Sequence, residues 1–324
     1  MRMIAATALA AALACSAPAL AQTTLKFSHY AETSHPAHAA ALDFAKKVEE
    51  RSKGQIKIQI FPANQLGDPP SVMQQIKAGV IDIGIPTQGQ LDKFDKAFAT
   101  VMIPFAFADA KDAHAKLDGP LMGWYGPLAE KAGFKILGNW EWGFRHITNG
   151  VRPVNAPADV KGLKIRVPPE IQLEAAMEAL GAQVTKIAFP ELYMAMSQKV
   201  VDGQENPIAV IHSLKLWEVQ KHLALTGHSY NCAVMVINVG KFNGLTAEQR
   251  QILEEEGKAA GNMMRKIIAD SEAAQLADLQ AKGMAVTRPD PAAFRALMEP
   301  ALKKIAAYAG EENVKKFMEI VAKK

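Results

Sequence analysis

The chain has 324 residues and a formal charge of +4; hydrophobic residues make up 49% and charged residues 22%. That length suits one large domain or two ordinary ones, with ample apolar material for a core. So mild a charge, with no basic tail or stripe, excludes the electrostatic footprint of a nucleic-acid binder.

The first 22 residues, MRMIAATALAAALACSAPALAQ, place Arg2 before an apolar run and Ala19-Leu20-Ala21 before Gln22. This is the pattern of a cleavable secretory signal peptide. The run is too short for a membrane span of about 20 residues. The mature chain is expected to start near Gln22 and to be exported, with acylation at Cys15 as the alternative. Removal of the leader leaves Cys232 alone, so no internal disulfide forms. Within YNCAVMVIN this cysteine reads as a small buried apolar residue.

Residues 24–30 (TLKFSHY) alternate like a strand, and 37–54 carry helical spacing up to Gly54. Residues 55–62 alternate again, with Ile56, Ile58 and Ile60 on one face. A second unit pairs a proline-initiated helix at 69–79 with a strand at 80–86. A third pairs one helical stretch at 113–133 with a strand at 134–142. Strands alternating with helices predict a mostly parallel sheet covered on both faces.

The pattern then restarts. Residues 143–150 and 161–168 read as strands, 169–181 as a helix, 182–187 as a strand, FPELYMAMSQ as a helix and KVVDGQ as a strand. Residues 231–239 form an apolar strand. One long helix is predicted over 246–283, with Thr246 as N-cap and Gln249 three residues on. Helices near 290–308 and 311–322 close the chain. The fold class is therefore α/β, with two α/β lobes changing over near 143–150. A cleft between such lobes, beyond the carboxyl ends of their strands, is where this class holds small ligands.

In KGLKIRVPPE, Leu163, Ile165 and Val167 share one strand face and Lys164 and Arg166 the other. Arg166 stands at the carboxyl end, just before a double proline. Arg145 follows aromatic residues in WEWGFRHITNG. A guanidinium fork matches a carboxylate through two charge-assisted hydrogen bonds, so both arginines are candidate anion ligands; pairing with a nearby acidic side chain is the alternative. In DGQENP, Glu205 and Asn206 precede an apolar helix, where Asn206 either caps that helix or turns its amide to a ligand. Trp140, Trp142 and Phe189 are either core or stacking surfaces. His29, His35 and His38 lack metal-ligand spacing, and hydrolase, phosphate-loop and dinucleotide motifs are missing from the sequence. No cofactor is expected.

Taken together, GFRHITN, DVKGLKIRVP, ALGAQVTKIAFPELYMAMSQKVVDGQENP, EVQKHLALTGH and, earlier, FPANQLGD resemble the solute-binding proteins of tripartite ATP-independent periplasmic (TRAP) transporters, the DctP-like family. The resemblance spans the mature chain. It implies a periplasmic-binding-protein-like fold: two α/β lobes around a ligand cleft, joined by a hinge and a long bridging helix. It divides the chain into a leader, 1–21, a first lobe of 22–143 plus 232–271, and a second of 144–231 plus 272–324. It implies a monomer in the periplasm that captures a small organic acid and delivers it to membrane subunits, without catalysis. Arg166 becomes the carboxylate clamp, assisted by Arg145 and Asn206, with Phe189 packed on the ligand and Glu205 in the cleft lining.

Sialate-binding relatives carry Asn and acidic side chains where this chain has Tyr30, Pro69 and Thr87, which argues against sialic acid. Tyr30, Asp68, Thr87 and Gln88 remain to read the non-carboxylate end. With His29 they suit hydroxyl groups, hence a sugar acid such as a uronate or aldonate. Trp140 and Trp142 keep an aromatic or branched hydroxy acid open. The rival readings are a sensor subunit for a membrane receptor and a secreted lyase or isomerase using Glu205, Asp82 or a histidine as base.

Overall fold

The computed structural model describes residues 22–323. The leader therefore lies outside the described residues. Among those described, no helix is long and apolar enough to cross a membrane.

The chain opens with β1 (Thr23–Ser28), α1 (Pro36–Arg51), β2 (Ile56–Phe61), α2 (Pro69–Lys77) and β3 (Ile83–Gly84). The predicted β-α-β start is present, and β1 pairs in parallel with both β2 and β3. Strand β3 is shorter than expected, because only two residues of 80–86 reach a partner. The helical stretch at 113–133 is two helices, α3 (Ala110–Asp118) and α4 (Pro120–Ala132). They part at Gly119, where the chain leaves helical geometry at φ −103°, ψ −109° and Pro120 restarts it; a Cβ there would lie 2.9 Å from the Ala115 carbonyl oxygen.

Strand β4 (Phe134–Asn149) corrects the expected break between 134–142 and 143–150. It is one strand of 16 residues. Register shifts beside Gly138, Gly143 and Ile147 bend it without ending it, and Gly143 takes a φ of +106° that suits glycine alone. Then come β5 (Lys164–Val167), α5 (Ile171–Ala179), β6 (Gln183–Lys186), α6 (Leu192–Ser197), β7 (Gly203–Pro207), α7 (Ile208–Ser213) and β8 (His222–Asn238). Strand β8 begins nine residues before the apolar run predicted at 231. The N-cap position of α7 is Pro207, and Asn206 pairs with His146 inside the sheet. The capping reading of Asn206 is thereby corrected: the strand runs to the proline.

All nine strands, β9 (Ala285–Thr287) included, join one sheet, in the order β2-β1-β3-β8-β4-β7-β5-β6 with β9 on the side of β8. The sheet is mixed, not mostly parallel. Long β4 and β8 run antiparallel through its middle, and β7 meets β4 antiparallel as well. The parallel pairs lie to either side, so the two expected sheets are two halves sharing these central strands.

The remaining helices are α8 (Val239–Asn243), α9 (Ala247–Ala281), α10 (Pro291–Arg295), α11 (Glu299–Ala309) and α12 (Glu311–Ala322). Helix α9 starts as predicted. Thr246 Oγ1 accepts from the Gln249 backbone N–H at 3.2 Å, and Gln249 accepts from the Thr246 N–H at 3.0 Å. At 35 residues it is about 52 Å long, and it packs on α1, β4 and α7 and so touches both halves. Its contact with β4 is backbone to backbone. A Cβ on Gly261 would stand 2.2 Å from the Asn139 carbonyl oxygen, and one on Gly138 would stand 2.8 Å from the Gly257 carbonyl oxygen. The buried Trp140 indole donates to that same Gly257 carbonyl at 3.2 Å, which makes Trp140 part of the core. Cys232 is buried and free, and burial pushes its thiol up and keeps it protonated.

Gly261→Ala is expected to lose about 1–3 kcal/mol of stability by overpacking against a strand that cannot retreat. Gly123→Ala, in the interior of α4 with nothing within 4 Å of its Cβ, is expected to be neutral or mildly stabilising. Urea unfolding of the two variants separates them, and equal midpoints would refute the close contact.

Candidate functional site

Between the two halves lies a narrow, partly open cavity lined from both of them and from the shared strands. One half contributes Tyr30, Pro69, Thr87 and Gln90. The other contributes Arg166, Pro168, Glu170, Phe189, Asn206 and Val210. The shared strands β4 and β8 contribute Trp142, Arg145 and Asn231.

Arg145 is held from every side. Its Nε donates to Glu205 Oε2, its Nη2 to Glu205 Oε1 at 2.8 Å and to the Glu205 carbonyl at 2.6 Å, and its Nη1 to Asn231 Oδ1 at 2.7 Å. Nη2 also lies 3.2 Å from Asn206 Oδ1. The Asn206 amide nitrogen donates to Gln204 Oε1. Gln204 Nε2 donates in turn to Thr148 Oγ1 at 2.9 Å. Strand pairing makes this arrangement: β4 and β7 are antiparallel, with Ile147 opposite Glu205 and Arg145 opposite Pro207. Burial by itself would raise the Glu205 carboxyl, but Arg145 and then His228 more than offset this and hold it below the ordinary carboxylate value. His228 Nε2 lies 3.2 Å from Glu205 Oε2.

Arg166 is equally buried and differently served. Its Nε donates to the Ile187 carbonyl at 2.9 Å, and its Nη2 is buried with no acceptor. Among the described residues it makes no ion pair, so the reading of a surface arginine with an acidic neighbour does not describe it. Burial pulls its pKa down to about 10; Glu205 opposes that and nearby Arg145 adds to it. It remains a cation at neutral pH.

Tyr30, Trp142 and Phe189 form an aromatic wall, with the Tyr30 ring 4.7 Å from Trp142 and 4.9 Å from Phe189. Thr87 lines the cavity with a buried hydroxyl that makes no well-aligned hydrogen bond to the protein.

The cavity thus gathers Arg166, Arg145, Asn206, Phe189, Thr87, Tyr30 and Trp142 from the sequence candidates. Four others are not among its lining residues. Asp68 caps α2, accepting from the Ser71 N–H at 2.8 Å. Gln88 is buried one residue beyond Thr87 with its amide oxygen unpartnered. His29 lines a smaller adjoining cavity, 3.1 Å from the His38 ring; burial, then His38, lowers it to about 4. Glu205 sits behind Arg145. Asp82 accepts from the Lys26 N–H at 2.7 Å and pairs with Lys241 at 3.5 Å, both outside the cavity lining.

Glu170, Gln90, Asn231 and Val210 were not anticipated. Glu170 gave no strand signal, because β5 ends at Val167 and the chain turns tightly at Pro169, where the Glu170 N–H donates to the Pro168 carbonyl at 2.7 Å; that turn is what brings Pro168 and Glu170 to the cavity beside Arg166. Asn231 stands two residues before Ala233 in β8, but nothing in its neighbourhood marks it as a partner of Arg145. Burial pushes the Glu170 carboxyl up to about 7, with Arg145 and then the Thr87 hydroxyl opposing.

Two α/β halves around a buried cavity with a free guanidinium are the build of a ligand-binding protein that holds a small anion. Residues 27–308 match the sequence model of the bacterial extracellular solute-binding proteins, family 7. The chain belongs to this family, DctP, the solute-binding proteins of TRAP transporters. It is 35% identical over 79% of its length, and 78% of the other, to the 2,3-diketo-L-gulonate-binding periplasmic protein YiaO of Escherichia coli. A Bordetella TRAP periplasmic solute-binding protein, with density assigned to pantoate, superposes at a TM-score of 0.87; it is 35% identical, over 92% of this chain and 99% of that one. A Sulfitobacter relative with bound β-D-galacturonate superposes at 0.89, with 29% identity over 92% and 99%. The two-lobed fold read from the sequence is that of these relatives.

Two outcomes test the electrostatics. Glu205→Ala leaves Arg145 as an uncompensated buried charge and is expected to cost about 3–5 kcal/mol in urea unfolding; a loss below about 1 kcal/mol would mean another group neutralises it. Glu170 has the opposite sign. Its folded pKa of about 7 exceeds the ordinary value of 4.5, so the folded state binds the extra proton and stability falls as pH rises from 4.5 to 7. The stability difference between ligand-free Glu170→Gln and wild type is expected to grow by about 3 kcal/mol between pH 4.5 and 8, in the variant's favour. A difference independent of pH would contradict it.

Proposed function

We propose that this chain captures a small organic acid in the periplasm and delivers it to the membrane subunits of a TRAP transporter, without chemical turnover. The observation that carries this is Arg166: a buried guanidinium in a cavity wall, with Nη2 unpartnered and, among the described residues, no ion pair. A ligand carboxylate supplies both the missing acceptor and the missing charge. Arg145 is locked by Glu205 into the second position of the clamp, and Asn206 is held beside it. Two lobes, 22–143 plus 232–271 and 144–231 plus 272–324, close on the acid as a monomer.

A sugar acid, a uronate or an aldonate, is the ligand class this reading favours. Relatives hold β-D-galacturonate and L-galactonate, and Thr87 and Gln90 offer partners for hydroxyls. The aromatic wall of Tyr30, Trp142 and Phe189 supports a second reading, a branched hydroxy acid such as the pantoate of the Bordetella relative.

Calorimetric titration of the protein from Gln22 onward with galacturonate, galactonate and pantoate distinguishes them. Arg166→Ala is expected to weaken the tightest of these by about 2–5 kcal/mol, roughly 30-fold to several-thousand-fold. Arg166→Lys is expected to fail as well, since an ammonium cannot reproduce the fork. Unchanged affinity in Arg166→Ala would remove the clamp. Chromatography of the ligand after prolonged incubation checks turnover, and a converted product would favour an enzyme.

A further inference from the structure

The charges of the cavity are unequal in a way the carboxylate clamp does not use. Among the described residues, Arg145 and Arg166 are the cations of its lining and Glu170 is its one acid. Arg145 is neutralised by Glu205. One unpaired cation, Arg166, and one unpaired acid, Glu170, are left facing the same space. They do not pair with each other: among the described residues neither enters an ion pair.

Glu170 is 1% exposed. Its Oε1 accepts one long hydrogen bond, from Gln90 Nε2 at 3.4 Å, and its Oε2 accepts no well-aligned hydrogen bond, the Thr87 hydroxyl being its nearest side-chain donor. An ionised carboxylate offers about four acceptor sites, and a buried acceptor left unserved costs free energy. A residue kept only for stability has no reason to stand so. Gly89, behind the cavity lining, lets the carboxylate sit where it does: a Cβ there would lie 2.8 Å from Oε2 and displace it. The Thr87 hydroxyl, near enough to favour the ionised carboxyl but itself without a well-aligned hydrogen bond, belongs to the cavity wall.

We infer that Glu170 selects the end of the ligand remote from its carboxylate, accepting hydrogen bonds from hydroxyl groups there and rejecting a second carboxylate. The site then takes polyhydroxy monocarboxylic acids and excludes the diacids of the same carbon chain. This rests on the reading of Arg166 as the carboxylate clamp. A monoacid matches the one free cation and brings hydroxyl donors to Glu170. A diacid brings a second negative charge to a cavity whose other guanidinium is already paired, and Glu170 must take up a proton to tolerate it, so the penalty grows as pH rises above about 7. Exclusion by an unmatched charge is a common source of specificity.

Matched pairs that differ only at the terminal carbon test this: L-galactonate against galactarate, and D-erythronate against meso-tartrate, titrated into wild type, Glu170→Gln and Arg166→Ala. Wild type is expected to prefer the monoacid of at least one pair by 100-fold or more. Glu170→Gln keeps the shape and loses the charge, and is expected to shrink that preference at least tenfold, weakening the monoacid and admitting the diacid. Its melting temperature without ligand verifies folding. A preference unchanged in Glu170→Gln, or a wild type that binds diacids as tightly as monoacids, overturns the role of Glu170 while leaving the clamp intact. Wild type that binds none of the four, or Arg166→Ala that binds as wild type does, overturns the clamp itself and this inference with it. Gly89→Ala is a second variant: by crowding the carboxylate it is expected to weaken the monoacid at least tenfold, and unchanged affinity there counts against the geometry.

Discussion

Two guanidinium groups share one buried cavity, and only one of them has a counter-ion. That imbalance organises the site. Arg145 can be fully desolvated because Glu205 grips it through the side chain and the backbone carbonyl, with Asn231 completing its donors. Arg166 is desolvated with one carbonyl for company. Burial of a charge without a partner is costly, and here the shortfall is localised on a nitrogen at a cavity wall. On the proposed reading, structure and binding are divided between the two arginines: the paired one sets the frame, and the unpaired one is left to meet an anion.

The frame itself depends on the long central strands. Because β4 and β8 belong to both halves of the sheet, residues from either side arrive at one cavity without a separate hinge element of their own. The shared strands place Trp142, Arg145 and Asn231 at its floor. The bend comes from bulges and from Gly143 at a positive φ, and α9 lies along the strand closely enough that three glycines are needed at the contact. The same glycines that allow this close approach make the contact between α9 and the shared strand intolerant of substitution.

Glu170 gives the cavity direction. A cation near one group and an acid near another make the two ends of a ligand inequivalent, so that orientation and selectivity follow from electrostatics before any hydroxyl is read. The cost is visible in the carboxyl itself, which burial holds near neutral pH.

Much of this was legible in the sequence, and for reasons that are local. The strand and helix periods of the first 80 residues, the capping box at Thr246 and Gln249, and the position of Arg166 at a strand end before two prolines all depend on residues close together in the chain. The motifs around GFR, KGLKIRVP and DGQENP were enough to point to the family. Most of what failed depends on partners far away. The antiparallel pairing of β4 with β8 joins residues about a hundred positions apart, and no spacing announces it; hence one mixed sheet where two parallel ones were expected. Asp68 and Glu205 are polar residues beside a cleft, as the sequence suggested. Asp68 caps a helix through Ser71, three residues on, a local signal that was passed over; only the fold decides that Glu205 turns away to neutralise Arg145. Side-chain chemistry and local period are written residue by residue, whereas which charge is satisfied by which neighbour is settled by the packing of distant segments, and in this protein that choice separates the residues that hold the site together from those left to hold a ligand.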